Sequence, residues 1–201
     1  MLKPSSHISK AVCKANQTLG LIRRSFMYLI AQLMKQLCTP LVRPHLEYGN
    51  VIWHPYQRKD TELFESIQHS VRMVPGLSKF SYEERHCIMK LPSLAYRRFR
   101  GDMIEVYKYL LGVYNIDCSD IVPYHRTTGI AMREHCLMLQ KKECNSRIRA
   151  NFFRYRAVNL WNSVPEDVVM ATTVNCFKGR LCKFFESKCC CELWDDDNCG
   201  D

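Results

Sequence analysis

Arginine is the residue type in this chain whose clustering suggests chemistry. Arg23-Arg24, Arg43 and Arg97-Arg98 with Arg100 make one series, and Arg147, Arg149, Arg154 and Arg156 make another. A guanidinium presents five donors in a rigid fork that fits phosphate bidentately. Phe26, Tyr48, Tyr96 and Phe99 lie beside the first series. Arginine next to an aromatic ring suits phosphate contact combined with base stacking on single-stranded or hybrid nucleic acid. Most of these rings also fall on core stripes. Phe99 and Tyr107 are read as core, while Tyr48 and Trp53 fit either role.

Catalytic chemistry finds no comparable set. Nucleotidyl transfer needs carboxylates that hold two metal ions a few ångströms apart. The run of neighbouring aspartates, Asp195-Asp-Asp197 behind Trp194, lies outside any strand-turn-strand pattern. No glycine-rich phosphate loop, Gly-x-Ser-x-Gly elbow or His-Glu-x-x-His helix is present. The expectation is a non-enzyme with no catalytic residues and no cofactor.

The 12 cysteines invite a metal site, but their spacing argues against one. Structural zinc sites start from two ligands two to four residues apart, closed by a second pair. No Cys-x-x-Cys occurs, and His86-Cys87 and His135-Cys136 are adjacent pairs unsuited to one ion. Scattered reduced thiols and no metal are expected.

Helices must position these arginines, and their limits are well marked. Val12, Leu19, Ile22 and Phe26 predict a helix over 9–26. A second is predicted over 29–46 along Leu33, Leu37 and Leu41, kinked at Pro40 and Pro44. Tyr48 to Pro55 reads as an aromatic turn. Asp60 or Thr61 should cap a helix with inner residues Leu63, Phe64, Ile67 and Val71, ended by Pro75-Gly76. Ser81-Tyr-Glu-Glu84 fits a capping box. Between Pro92 and Gly112, Tyr96, Phe99, Met103, Val106, Tyr107, Leu110 and Tyr114 form one stripe, with Arg98 and Asp102 spaced to pair on the outer face. Ile130-Ala-Met132 and Leu137-Met-Leu139 have the length of two strands of a short hairpin around 130–139.

A helix over Arg147–Trp161 has two apolar sides, Ile148, Phe152 and Tyr155 against Phe153, Ala157 and Leu160. Arg147 and Arg154 fall in one seam between them, Arg149 and Arg156 in the other. Snorkelling or ion pairing is the default for such arginines, and nucleic-acid contact the alternative. A pause at Asn162-Ser-Val-Pro165 precedes a last helix over 173–187. The fold class is therefore mostly α, a multi-helix, bundle-like arrangement.

Charge separates the body from its end. Residues 1–188 hold all 29 Lys and Arg against 15 acidic residues, a net of +14, while 189–201 hold five acidic residues and no basic one. A basic body attracts polyanions through counterion release. The acidic, cysteine-containing tail 189–201 reads as disordered, and 1–188 as one helical region with a subdivision point near 75–80. No cleavable leader is recognisable. The apolar window Phe26–Met34 contains Gln32 and stops at Lys35, far short of the roughly 20 apolar residues of a span. An intracellular protein, cytoplasmic or nuclear, without membrane contact, is expected.

Several blocks recur in the order of a known family. They are Lys14-Ala-Asn-Gln-Thr-Leu-Gly-Leu-Ile-Arg-Arg-Ser-Phe26, Leu41-Val-Arg-Pro-His-Leu-Glu-Tyr-Gly-Asn-Val-Ile-Trp53 and Pro75-Gly76-Leu77. After them come Ser81-Tyr-Glu-Glu-Arg85, Leu91-Pro-Ser-Leu-Ala-Tyr-Arg-Arg-Phe-Arg-Gly-Asp-Met-Ile104 and Tyr107-Lys-Tyr-Leu110. The last are Asn151-Phe-Phe, Val158-Asn-Leu-Trp-Asn-Ser-Val-Pro165 and Asn175-Cys-Phe-Lys-Gly-Arg-Leu181. The series resembles the thumb and C-terminal region of reverse transcriptases from non-LTR (LINE-type, jockey-like) retrotransposons. The resemblance implies template–primer contact in a parent RNA-directed DNA polymerase, with the catalytic palm encoded upstream of Met1. Gln68-His-Ser-Val-Arg72 departs from the family's Gln-Arg-Arg-Ala-Thr-Lys/Arg. It is one residue shorter and lacks a basic pair, which turns the following positions by about 100°. A free-standing basic nucleic-acid-binding protein and a helical scaffold for other proteins are the alternatives.

Overall fold

In a computed structural model, residues 4–69, 74, 77, 79–89, 92–115, 117, 121, 124–126 and 135–187 are described. They are mostly helical and divide into two compact units, Met1–Arg98 and Phe99–Asp201.

The first unit is built around α1 (Pro4–Ser25), which starts earlier than its apolar spacing predicts. Ile8, Ala11, Val12, Ala15, Leu19 and Ile22 are buried on one side, at offsets of three and four. Phe26 lies outside that core. The expected second helix is divided into α2 (Ala31–Leu37), a π-helical turn (Cys38–Val42) and α3 (Arg43–Glu47). Pro40 has no amide to donate, and the wider turn accommodates it, closing with the Arg43 N–H on the Cys38 carbonyl. The buried line is Met34, Cys38, Val42 and Leu46, one position past the predicted Leu33, Leu37 and Leu41. Leu33 and Leu37 only flank the core, and Leu41 faces solvent.

Helix α4 (Arg58–His69) begins before its expected cap. Asp60 instead lies buried in the first turn and accepts a 2.7 Å hydrogen bond from Ser5 Oγ, which ties α4 to α1. Phe64 and Ile67 are buried and Leu63 is exposed. The remaining expectations here, Val71, Pro75-Gly76 and the end of the Gln68–Arg72 departure, lie outside the described residues. Val74, Leu77 and Met89 join the same core as α1. Helix α5 (Tyr82–Met89) opens on the capping box: Ser81 N–H donates to Glu84 Oε2 at 2.7 Å and Glu84 N–H to Ser81 Oγ at 3.3 Å. These bonds to Ser81 hold the Glu84 carboxyl below its ordinary range.

Helix α6 (Leu94–Leu110) is capped by Ser93 Oγ, which accepts from the Tyr96 amide, and its first turn belongs to the first unit. Its end is a Schellman motif, with Val113 N–H on the Lys108 carbonyl and Gly112 N–H on that of Tyr109. Gly112 sits at φ +68°, a region that penalises any side chain. Met103, Val106 and Tyr107 are buried as the stripe predicts, while Tyr96, Phe99 and Leu110 are half-buried and Tyr114 is exposed.

In the second unit, α7 (Arg147–Ala150) and α8 (Phe153–Asn162) replace the expected continuous helix. Phe152, at φ −68° and ψ 146°, is extended and interrupts the helical hydrogen bonding. Phe153, Ala157, Val158 and Trp161 are buried, but Ile148 and Phe152 are exposed, so burial is one-sided. After a short α9 (Glu166–Val169), α10 (Val174–Ser187) is capped by Thr173 Oγ1 and buries Phe177, Leu181 and Phe185. Tyr107 and Phe177 stack at 4.0 Å, and the Tyr107 hydroxyl donates to the Ala171 carbonyl.

The strand expected over Leu137–Leu139 forms (β2), and its antiparallel partner is Tyr124–Arg126 (β1), in register Tyr124 with Leu139. Ile130–Met132 lies outside the described residues. The Asn162 side chain holds β2 by accepting from the Leu139 amide at 2.9 Å and donating to its carbonyl at 3.0 Å. The family-like block Val158–Pro165 thereby joins α8 to the strand.

Candidate nucleic-acid interface

An open cationic surface needs guanidinium or ammonium groups free of carboxylates, and most of the clustered arginines are otherwise engaged. Arg43 is buried and donates to the Pro92 carbonyl at 2.7 Å. Arg97 forms a forked ion pair with Glu47, with Nη2 to Oε2 at 2.7 Å. That pairing raises the Arg97 pKa further above its ordinary value. Arg98 is buried, with its guanidinium 4.4 Å from the centre of the Phe64 ring. Arg98 and Asp102 are both buried, whereas their spacing suggests an outer, solvent-facing position. Arg100 is half-buried and donates to Cys182 Sγ at 3.3 Å.

The break at Asn151–Phe152 also divides each of the two expected seams. Arg147 and Arg149 sit on α7, Arg154 and Arg156 on α8. Arg156 grips Asp102 through Nε to Oδ2 at 2.8 Å and Nη2 to Oδ1 at 3.0 Å, and its Nη1 reaches the Asn151 carbonyl. Arg154 is half-buried, with its guanidinium 5.9 Å from the Tyr155 ring centre. On this pair of helices Arg149 is exposed. Ion pairing, the default for seam arginines, is what holds Arg156.

Arg23 and Arg24 are exposed, and Arg24 ends a face that clustering alone did not reveal. Lys10, Lys14, Gln17, Leu21 and Arg24 follow offsets of three and four on α1, opposite Ile8, Val12, Ala15, Leu19 and Ile22. Helix α1 contains no Asp or Glu. The usable sequence signal was longer: Met1–Leu46 holds Lys3, Lys10, Lys14, Arg23, Arg24, Lys35 and Arg43 and no carboxylate at all. At 1.5 Å per residue, Lys10 to Arg24 spans about 21 Å of the helix. Arg23 and Arg24 also complement the negative end of the helix dipole.

His7 lies near the beginning of that face. Burial, followed by the charges of Lys10 and Lys14, lowers its pKa. Its ring stacks on Trp53 at 4.5 Å and 10°, and lies 6.3 Å from Tyr48, which is 73% exposed. The Trp53 ring closes over Gly49, where φ is +63° and a Cβ would come within 2.8 Å of Trp53 Cδ1. Trp53 is thus a packing residue and Tyr48 an open ring.

Cys13, Cys38, Cys136, Cys144, Cys176 and Cys182 are free thiols, and burial pushes that of Cys38 up to about 11. Among the described residues no three His, Cys, Asp or Glu side chains gather to hold a metal ion. No described helix is long and apolar enough to cross a membrane. Comparison with family models, curated proteins and solved structures finds no match.

Proposed function

We propose that the chain is the thumb-side, C-terminal portion of a LINE-type reverse transcriptase, and that it contacts template–primer nucleic acid while a palm elsewhere in the parent protein carries out polymerisation. The observation that carries the nucleic-acid half is helix α1, with exposed Lys10, Lys14 and Arg24 on one face, Arg23 exposed beside it in the last turn, and no carboxylate on the helix. Phosphate neutralised by such a face gives affinity with little sequence preference. Among the family-like blocks, Leu41–Trp53 supplies the Glu47 partner of Arg97 and the Gly49–Trp53 turn, and Val158–Pro165 supplies Trp161 and Asn162. Each set of side chains ties elements together within its own unit. A free-standing basic binding protein would use the same face, so the family assignment rests on the order of those blocks.

Two measurements test the proposal. Changing Lys10, Lys14, Arg23 and Arg24 to Gln should reduce the slope of log affinity against log salt by about 3 to 4 on an RNA–DNA hybrid, since each phosphate contact contributes about 0.9. An unchanged slope would remove α1 from the interface. Arg149→Gln should change it by about one unit at most. The purified chain should also show no primer extension on an RNA template with magnesium or manganese. Extension abolished by Asp196→Asn with Asp197→Asn would make the chain an enzyme and overturn the non-catalytic role.

A further inference from the structure

The connection between α1 and α2 exposes apolar side chains that the core does not use. Met27 is 89% and Tyr28 82% exposed, and Phe26, Ile30 and the preceding Leu21 also face solvent. Leu29 alone of this stretch is buried and pins the connection to the core of the first unit. A contiguous exposed apolar patch on a monomer marks an interaction site. Its surroundings are cationic: Arg23 and Arg24 immediately precede it, Lys35 follows, and the nearest acidic residue in sequence is Glu47.

Resting on the nucleic-acid reading of the α1 face, we propose that this connection is a stacking platform for unpaired nucleotides, with Phe26 and Tyr28 under the bases and Arg23 and Arg24 on the adjoining phosphates. Every base has a π-face, so aromatic rings beside cations capture single strands without reading sequence. In a duplex those faces are already stacked on one another, and the rings have nothing to cover. The α1 face tracks phosphates on either form of nucleic acid, while the platform selects the unpaired one. A membrane surface is less well matched, because the solvent side of α1 is polar apart from Leu21 and offers no apolar helix face to lie in the interface. A protein partner would find no carboxylate within this stretch of sequence for its own cations.

The test compares the full chain with a Phe26→Ala, Tyr28→Ala double variant on two probes of equal length, a homopolymeric single strand and a blunt RNA–DNA hybrid. The single-strand affinity should fall roughly tenfold for each ring removed, with hybrid affinity and both salt slopes unchanged. A Phe26→Leu, Tyr28→Leu variant keeps apolar bulk without rings and should lose single-strand affinity too; circular dichroism confirms that both variants fold. Retained affinity in the leucine variant would make the patch a general apolar contact and overturn the platform. So would an equal loss on both probes, or ring-dependent binding to phosphatidylserine vesicles with single-strand affinity unaltered. If the unaltered chain binds both probes and the double variant behaves identically, the platform fails and the α1 interface stands. If the unaltered chain binds neither, both fall.

Discussion

Replacing Trp161 by Ala should destabilise the chain by about 3–5 kcal/mol, the range for removing a fully buried large aromatic. Trp161 has no exposed surface; its Nε1 donates to the Leu137 carbonyl at 2.8 Å, and Phe177 lies 6.0 Å away. His135 stands edge-on to it at 5.8 Å and bonds its carbonyl through Nε2 at 3.2 Å. Truncation therefore opens a cavity against α10 and orphans the backbone acceptor that ties α8 to β2. Net stabilities of domains are about 5–15 kcal/mol, so the loss would take a large share of the total. Trp161→Phe separates the two contributions, because it keeps most of the volume and should cost about 1–3 kcal/mol for the unpaired carbonyl and a smaller void. Urea unfolding followed by circular dichroism measures both. A loss below about 1 kcal/mol in Trp161→Ala would mean that the surrounding side chains collapse into the space, and would contradict its placement as the hub of the second unit.

The second large effect is expected at Arg156 and Asp102. Their side chains retain only 8% and 1% of their exposure and share two short, parallel hydrogen bonds. Removing either side chain takes a forked ion-pair partner from a buried charge, and Asp102→Ala or Arg156→Ala should each cost about 3–5 kcal/mol. Exchanging both for apolar residues of similar volume, Asp102→Leu with Arg156→Met, should recover most of that loss, because the double change buries no charge at all. The same variants separate structure from binding. If Arg156 serves only the fold, nucleic-acid affinity in the double variant keeps its salt slope. A drop of about one unit in that slope would return Arg156 to the binding surface. Single truncations costing under about 0.5 kcal/mol would show that water reaches the pair and that it behaves like an exposed ion pair.

What the sequence by itself determined is what short-range geometry dictates. The helical periodicity of α1 and the centre of α6 follows from apolar residues three and four apart. The start of α5 follows from a hydroxyl and a carboxylate three residues apart, and the end of α6 from Gly112, which takes a left-handed φ at no steric cost. Net charge, and the carboxylate-free run before Glu47, are also readable without any coordinates.

Tertiary structure decided which face of each element is buried and which cations stay open. The π-helical turn at Pro40 moves the buried line by one residue, and the extended Phe152 separates Arg147 and Arg149 from Arg154 and Arg156. Tyr124–Arg126, the partner of β2, carries no periodicity long enough to announce a strand. Most decisively, Arg97 finds its carboxylate 50 positions away and Arg156 finds Asp102 at 54. No local pattern encodes such partners. An arginine in a cluster becomes a strut or a phosphate contact according to which carboxylate the packed helices bring to it, because desolvation makes a buried guanidinium seek an anion or acceptor within its own unit. On α1 no carboxylate is present in the helix itself, and Lys10, Lys14, Arg23 and Arg24 stay in the water.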